Sequence, residues 1–206
     1  MEKISVLIVD DHAMFRMGLK SILGTCRDIK VVGDASDGKA AVAQVRKLRP
    51  SVVIMDLLMP EMDGVEATRQ ILASAPGTNV LILTTFGTAD GISHALDAGA
   101  KGALLKTAEL AELRTAIQTV ASGRTYVSDE IRRIMDSDPP LPPLSPRQRE
   151  VLESIVDGLT NALIAEKLGI SVEMVKEHIK ALFAKLNVST RADAVAIALR
   201  KHLLKI

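Results

Sequence analysis

Five short apolar runs separated by amphipathic stretches make up most of the first 121 residues of this chain. The runs are Ile4–Val9, Val31–Ala35, Val52–Met55, Val80–Thr84 and Ala103–Leu105. Runs this short are typical of buried strands, and the stretch after each one has helical spacing. Strands that alternate with helices predict a parallel sheet covered on both faces, and right-handed crossovers leave few ways to wind it. We therefore expect an α/β fold, a (βα)5 doubly wound parallel sheet.

A proline-rich segment, Pro139–Pro143, separates this half from the rest of the chain. Four prolines in five residues cannot donate to a helix or a sheet, so the segment predicts a semi-rigid spacer. Only helical patterns follow it, and their predicted N-caps are Ser145, Thr160, Ser171 and Thr190. We expect a first domain over 1–121, a linker over 122–143 with a short helix at Ser128–Met135, and a small all-α domain over 144–206.

Composition excludes several classes of protein. No apolar run approaches the roughly 20 residues that a membrane helix needs. The N-terminus, Met1–Ser5, lacks a basic flank with an apolar stretch and a cleavage site, so we expect a cytoplasmic protein. The single cysteine, Cys26, receives no function. Basic residues outnumber acidic ones only after the linker, which fits nucleic-acid binding and a solvated surface equally well.

Polar side chains stand at the ends of several predicted strands. Asp10 and Asp11 follow the first strand, Asp56 the third, Thr84 ends the fourth and Lys106 follows the fifth. Ligands bind beyond the carboxyl ends of the strands in such sheets, so these side chains should converge. Helix capping and solvation are the plain alternatives for each residue alone, but they do not explain all five positions together.

The chemistry of this cluster indicates a phosphoryl group with its metal ion. Three aspartates are costly side by side without a cation, and an all-oxygen site suits Mg²⁺. We expect Asp56 to be the nucleophile, with Mg²⁺ held between it, Asp10 and Asp11. Thr84 and Lys106 would then bind phosphoryl oxygens. Thr85 is the alternative to Thr84.

These residues resemble those of the CheY-like receiver domains. The motifs are Val9-Asp10-Asp11-His12, Val53 to Pro60 around Asp56, Asp63-Gly64, Leu83 to Phe86 around Thr84, and Gly102 to Lys106. The resemblance covers the first 121 positions and implies a flavodoxin-like receiver fold for them. It implies that a sensor histidine kinase phosphorylates Asp56 and that the backbone carbonyl of Leu58 completes the Mg²⁺ shell.

Two positions depart from the receiver pattern. Ala103 stands where receivers commonly carry a Tyr or Phe that turns inward on activation, and Thr107 stands where many have proline. Phe86 has two interpretations: its ring replaces the aromatic side chain that Ala103 lacks, or it is an ordinary packing residue. Both departures leave the phosphorylation chemistry intact, and only its transmission to the fourth and fifth strands is put in question.

The apolar spacing in the second half of the chain predicts a helix-turn-helix. Its core is assigned to one face of two helices, and the opposite face of the second helix would enter the major groove. The core residues are Leu163, Ile164, Leu168, Ile170, Val175, Ile179 and Leu182, and the groove residues are Lys176, Glu177 and Lys180. A merely solvated helix surface explains two lysines equally well. Glu177 is able to accept from cytosine N4 and so to influence specificity.

This half is similar to the LuxR-type DNA-binding domain. The motifs that carry the similarity are 144–152, 158–161, 164–165, 168–171, 175–179 and 185–186. The resemblance implies that Lys176, Glu177 and Lys180 face base edges and nearby phosphates, and that Asn161, Lys185 and Arg191 support contacts to the DNA backbone. His178 is assigned a structural role. The departures from the pattern are Gln148, Ala162, Leu163 and Met174, of which Leu163 adds an exposed or interfacial apolar side chain.

Together the halves identify the chain as a member of the NarL/FixJ family of two-component response regulators. The resemblance implies that phosphorylation at Asp56 controls homodimerisation and binding to two half-sites of promoter DNA. The final helix, Ala192–Leu203, is amphipathic and is the candidate dimer face. A haloacid-dehalogenase-like enzyme is excluded, because Leu58 stands where that chemistry needs a second acid. A degenerate, phosphorylation-independent receiver is favoured only by Ala103. A sensor of small apolar ligands is disfavoured by the few aromatic residues.

Overall fold

The computed structural model describes residues 3–85, 89–142, 144–201 and 203–204. Contacts divide the chain into two compact units, Met1–Pro139 and Pro140–Ile206. Hydrophobic clusters fill each unit separately, two in the first and one in the second. Within the described ranges, no helix combines the length and the apolar character that crossing a membrane requires.

The first unit is a parallel sheet wound with helices. Its strands are β1 (Ile4–Val9), β2 (Ile29–Ala35), β3 (Val52–Met55), β4 (Asn79–Thr84), β5 (Gly102–Leu105) and β6 (Tyr126–Val127). Its helices are α1 (Ala13–Gly24), α2 (Gly38–Leu48), α3 (Gly64–Ser74), α4 (Ala89–Asp97), α5 (Leu110–Ala121) and α6 (Asp129–Ser137). The strand order is β2-β1-β3-β4-β5-β6, and neighbouring strands are parallel. The predicted doubly wound α/β fold is confirmed.

Successive strand residues point to opposite faces of the sheet, so the core divides into two layers. Leu7 and Val9 of β1 belong to the cluster that also holds buried residues of α2, α3, α4 and α6. Val6 and Ile8 belong to the other cluster, with buried residues of α1 and α5. Burial on both faces explains why the strands are continuous apolar runs rather than alternating ones.

The segment 122–139, which the sequence assigned to the linker, packs on the first unit. Tyr126–Val127 forms β6 and extends the sheet beside β5, with Val127 paired to Ala103. Ser128 caps α6 by accepting from the Ile131 backbone N–H. Ile131, on α6, is fully buried in the core of the first unit. The apolar face of α6 therefore adds the first unit's last core residues, and the spacer begins only near Pro139.

The second unit consists of α7 (Pro146–Val156), α8 (Asn161–Leu168), α9 (Val172–Leu186) and α10 (Arg191–Arg200). The predicted caps form: Thr160, Ser171 and Thr190 each accept a backbone N–H of the following helix. Ser145 and Gln148 make a reciprocal capping box at the start of α7. Helix α8 ends at Gly169, whose φ of 64° is the left-handed conformation that glycine adopts without a Cβ penalty.

Most of the predicted helical core is confirmed, with one correction. Ile164, Val175 and Leu182 are fully buried, and Leu168, Ile170 and Ile179 pack against them partly buried. The core assignment of Leu163 is wrong, because its side chain is 47% exposed, as the alternative of an exposed apolar side chain predicts. Helix α8 turns Ile164 and Ala165 inward, which leaves Leu163 on the solvent side. The final helix is also displaced from the predicted Ala192–Leu203, since it runs over Arg191–Arg200.

Candidate functional site

The carboxyl ends of four strands meet at one edge of the sheet. Asp10 follows β1 and Asp56 follows β3, and the Asp56 backbone N–H donates to the Val9 carbonyl at 2.9 Å. Thr84 ends β4, and its carbonyl accepts from the Lys106 N–H at 2.8 Å. Ladder geometry therefore places two carboxylates, a hydroxyl and an amine side by side.

Lys106 joins the two buried carboxylates. Its Nζ lies 2.7 Å from Asp56 Oδ2 and 2.5 Å from Asp10 Oδ2. The three side chains are only 8%, 5% and 2% exposed. The Lys106 ammonium also lies 4.6 Å from the centre of the Phe15 ring, within reach of a cation–π attraction. The predicted convergence of these three residues is present in the structure.

Burial and the attraction between Asp56 and Lys106 have opposite effects on the pKa values of these two groups. Burial raises the pKa of the Asp56 carboxyl and Asp10 raises it further, while the hydrogen bond and charge of Lys106 only partly oppose this. Burial lowers the pKa of the Lys106 ammonium, but its hydrogen bonds to Asp10 and Asp56 outweigh that effect and leave the pKa raised. Lys106 is therefore held as a cation against carboxylates that the fold desolvates.

A third carboxylate and an imidazole lie at the open side of the cluster. His12 Nδ1 lies 2.7 Å from Asp11 Oδ1 and 3.3 Å from Asp10 Oδ1. One ligand atom from each of Asp10, Asp11, His12 and Asp56 can be chosen so that all lie within 4.8 Å of one another. The donor set fits a divalent metal ion. Sequence reasoning proposed the three aspartates but not His12, whose only signal was its place directly after the aspartate pair.

Thr84 supplies an unused hydroxyl beside this cluster. Its side chain is 1% exposed, and within the described part of the chain its Oγ1 has no hydrogen-bond partner. A buried hydroxyl without a partner costs roughly 1–3 kcal/mol, so a ligand oxygen that accepts from it would recover that energy. Thr85, the alternative in the sequence, is exposed. The orphaned hydroxyl, the ammonium and the carboxylates together fit a phosphoryl group and its metal ion.

The remaining predicted positions of the first unit are less constrained. The Leu58 side chain is 51% exposed in the loop after Asp56, and the metal-binding role of its carbonyl stays a prediction. Ala103 is fully buried in β5 between Ile82 and Val127. Phe86, the suggested substitute for an aromatic residue at Ala103, lies outside the described residues.

The predicted DNA contacts fall into two groups. Lys176, Glu177 and Lys180 are exposed on one side of α9, opposite the buried Val175 and Leu182. The other three are half-buried and bonded within the unit. Lys185 Nζ donates to Gln148 Oε1 at 3.1 Å, and Arg191 donates to Asn161 Oδ1 and to the Leu159 carbonyl. The bonds of this second group link α9 to α7 and α10 to α8. His178 is half-buried, consistent with its structural assignment.

Comparison with known proteins covers both units. The family model for response regulator receiver domains matches residues 6–118. The model for bacterial regulatory proteins of the luxR family matches residues 142–198. The first match ends before the proline-rich spacer, and the second begins within it.

Several relatives match along nearly their whole length. Transcriptional regulatory protein LiaR of Bacillus subtilis is 38% identical over 97% of this chain and 99% of LiaR. Response regulator protein VraR of Staphylococcus aureus is 37% identical over 98% of this chain and 99% of VraR. Among solved structures, the response regulator ChrA of a heme-sensing two-component system has 38% identity and a TM-score of 0.60, covering 99% of this chain and 100% of ChrA. An RcsB–DNA complex has 26% identity and a TM-score of 0.68, covering 97% of this chain and 99% of RcsB.

A doubly wound receiver sheet with a carboxylate–lysine site, followed by a LuxR-type helix-turn-helix unit, defines a two-component response regulator. Within that class, the chain belongs to the NarL/FixJ family. Members of this family are transcriptional regulators rather than enzymes, which confirms the assignment made from the sequence.

Proposed function

We propose that Asp56 accepts a phosphoryl group from a sensor histidine kinase and that this modification controls dimerisation and binding to promoter DNA. The observation that carries the proposal is the buried Asp56 carboxylate beside the Lys106 ammonium at 2.7 Å, with a Thr84 hydroxyl at the same sheet edge that no described residue hydrogen-bonds. Because promoter DNA is the target, we place the protein in the cytoplasm.

The transfer exchanges one bond to phosphorus for another. An Asp56 oxygen forms a bond to phosphorus while the bond from phosphorus to the kinase imidazole breaks, and that imidazole leaves with the electron pair and takes up a proton. Lys106 and Thr84 then bind phosphoryl oxygens, and Lys106 gives up part of its contact with the carboxylates. Asp10, Asp11, Asp56 and the Leu58 carbonyl would hold Mg²⁺, which neutralises charge on the phosphoryl oxygens when it is bound.

The second unit supplies the output. Lys176 and Lys180 put two positive charges on the exposed face of α9, and Glu177 between them in sequence would accept from cytosine N4 in the major groove. Asn161, Lys185 and Arg191 contribute chiefly by fixing α8, α9 and α10, and then support backbone contacts. A homodimer would place two α9 helices one DNA turn apart, and Leu199, 47% exposed on α10, marks the dimer face.

Intact mass after incubation with a small phosphodonor and Mg²⁺ tests the chemistry. A phosphoryl adduct is expected on the wild type and on Asp97→Ala, an exposed control, but not on Asp56→Ala. Chelation of the metal beforehand should abolish the adduct. No adduct under conditions that label a known receiver would refute the switch mechanism and leave the phosphorylation-independent alternative.

Dimerisation and DNA binding are tested on the same samples. Phosphorylated protein should sediment as a dimer and select paired half-sites from a pool of random-sequence DNA. Selection that is equal with and without the phosphoryl group would show that Asp56 does not control the output.

A further inference from the structure

An imidazole lies among the carboxylates, and the proposed function leaves it without a role. We propose that His12 is a metal ligand, so that the site takes a transition-metal dication through one nitrogen and several oxygens and prefers it to Mg²⁺. This inference rests on the metal site of the proposed function and adds a ligand and a metal preference to it.

The distances around His12 match those between neighbouring ligands of one ion. With metal–ligand bonds of about 2.1 Å in an octahedral arrangement, adjacent ligand atoms lie about 3.0 Å apart and opposite ones about 4.2 Å. His12 Nδ1 lies 2.7 Å from Asp11 Oδ1 and 3.3 Å from Asp10 Oδ1. These two separations lie on either side of the adjacent-ligand value, so the imidazole nitrogen stands where a ligand next to both carboxylates would stand.

Local structure fixes the position of His12 without using its ring. The residue is the N-cap of α1, with extended backbone angles, and its side chain makes no capping hydrogen bond. Its backbone N–H donates to Asp10 Oδ1 at 2.8 Å, which ties the residue to the first carboxylate. The side chain is 71% exposed, so the ring is held beside the two carboxylates by its contacts with Asp10 and Asp11 rather than by core packing or helix capping.

Lys106 and His12 approach different oxygens of the same carboxylate. The ammonium of Lys106 contacts Oδ2 of Asp10, while the His12 Nδ1 and backbone N–H approach Oδ1. The Oδ1 side of Asp10, with Asp11 beside it, is therefore the side on which the imidazole joins the cluster.

The kind of donor decides which ion gains from it. Mg²⁺ is a hard cation that takes oxygen ligands and keeps several waters, so a nitrogen donor adds little to its binding. Imidazole nitrogen binds first-row transition metals well. A site of three carboxylates and one imidazole should therefore favour Mn²⁺ and later metals over Mg²⁺ more strongly than a site of carboxylates alone.

Mn²⁺ binding to the full chain, free of any affinity tag, tests the proposal. Free and bound Mn²⁺ are counted by electron paramagnetic resonance, pulsed measurements detect a directly bound ¹⁴N nucleus, and titration with Mg²⁺ gives the ratio of affinities. The variants are His12→Ala, which removes an exposed side chain, and His178→Ala, a matched histidine in the second unit.

The wild type and His178→Ala should show the nitrogen coupling. His12→Ala should lose it, bind Mn²⁺ roughly tenfold or more weakly, and keep its Mg²⁺ affinity within about twofold. Bound Mn²⁺ without a nitrogen coupling, or equal affinities in wild type and His12→Ala, would overturn the role of His12 and leave the phosphorylation proposal standing. If neither Mn²⁺ nor Mg²⁺ binds the wild type, both the proposed metal site and the proposed role of His12 are refuted.

Discussion

Gly64 lies so close to Asp56 that a Cβ on the glycine would stand 2.1 Å from the Asp56 carbonyl oxygen. The same Cβ would stand 3.0 Å from the Leu57 Cα, and the Gly64 N–H donates to the Leu57 carbonyl at 2.9 Å. These contacts fix the backbone on which the Asp56 carboxylate stands. The glycine is required by this close approach, because even a methyl group would displace backbone atoms.

We expect Gly64→Ala to destabilise the first unit and to slow phosphoryl uptake at Asp56. Overpacking of this kind costs typically 1–3 kcal/mol. Chemical denaturation and the rate of adduct formation measure the two effects. Gly18→Ala is the control, because a Cβ at Gly18 meets nothing within 4 Å and alanine favours a helix by about 0.5–1 kcal/mol. Equal stability of the two variants would contradict the close approach.

Neutralising Asp56 should stabilise the metal-free first unit at neutral pH. Burial raises the pKa of Asp56 in the folded state, so the stability linked to it is present below the ordinary pKa of an aspartate and is lost as the pH rises through the folded pKa. Asp56→Asn removes that loss. Denaturation in the presence of a chelator, at neutral and at acidic pH, measures the difference between variant and wild type.

The gain in Asp56→Asn should shrink towards acidic pH, where the wild-type carboxyl is protonated. Asp97→Asn, at an exposed position, should show no comparable dependence on pH. A variant that is less stable than the wild type at neutral pH would mean that attraction to Lys106 outweighs the burial of the carboxyl.

Helix α6 should contribute to the stability of the first unit. Ile131→Ala removes a fully buried side chain and should lower the free energy of unfolding by about 2–5 kcal/mol. Arg133→Ala, on the exposed side of the same helix, should change it little. Thermal denaturation of both variants makes the comparison. Wild-type stability in Ile131→Ala would show that α6 does not dock in solution.

Charge on α9 should control affinity for DNA separately from sequence preference. Lys180→Ala should weaken binding similarly for all sequences and reduce the slope of log affinity against log salt by about 1. Glu177→Gln should instead change which bases are selected from random DNA. Titrations over a range of salt and selection experiments measure the two effects, with Lys47→Ala in the first unit as the control.

If Lys180→Ala leaves the salt dependence unchanged, Lys180 contacts no phosphate. If Glu177→Gln selects the same bases as the wild type, Glu177 lies outside the base-reading surface.

The sequence predicted the sheet and its carboxylate edge because buried parallel strands are continuous apolar runs that end at recognisable polar residues. It did not predict β6, since two residues are too few to show alternation and their partner, β5, lies well before them in the chain. Leu163 was misassigned because a helix of eight residues has too little length to define its buried side. The place of His12 depends on the side-chain direction at the first turn of α1, which spacing does not reveal.

The docking of β6 and α6 also determines where this protein is divisible. A cut after residue 121 would leave β5 as an open edge strand and would expose the part of the core that Ile131 covers. The truncated protein would therefore be prone to aggregate. A cut at Pro139–Pro140, ahead of Leu141, which packs against the second unit's core, interrupts neither described core. Recombination that exchanges output domains between regulators of this kind should therefore succeed at Pro139–Pro140 and fail when the junction falls at the end of α5. Hybrid proteins built for biosensing should carry β6 and α6 with the receiver.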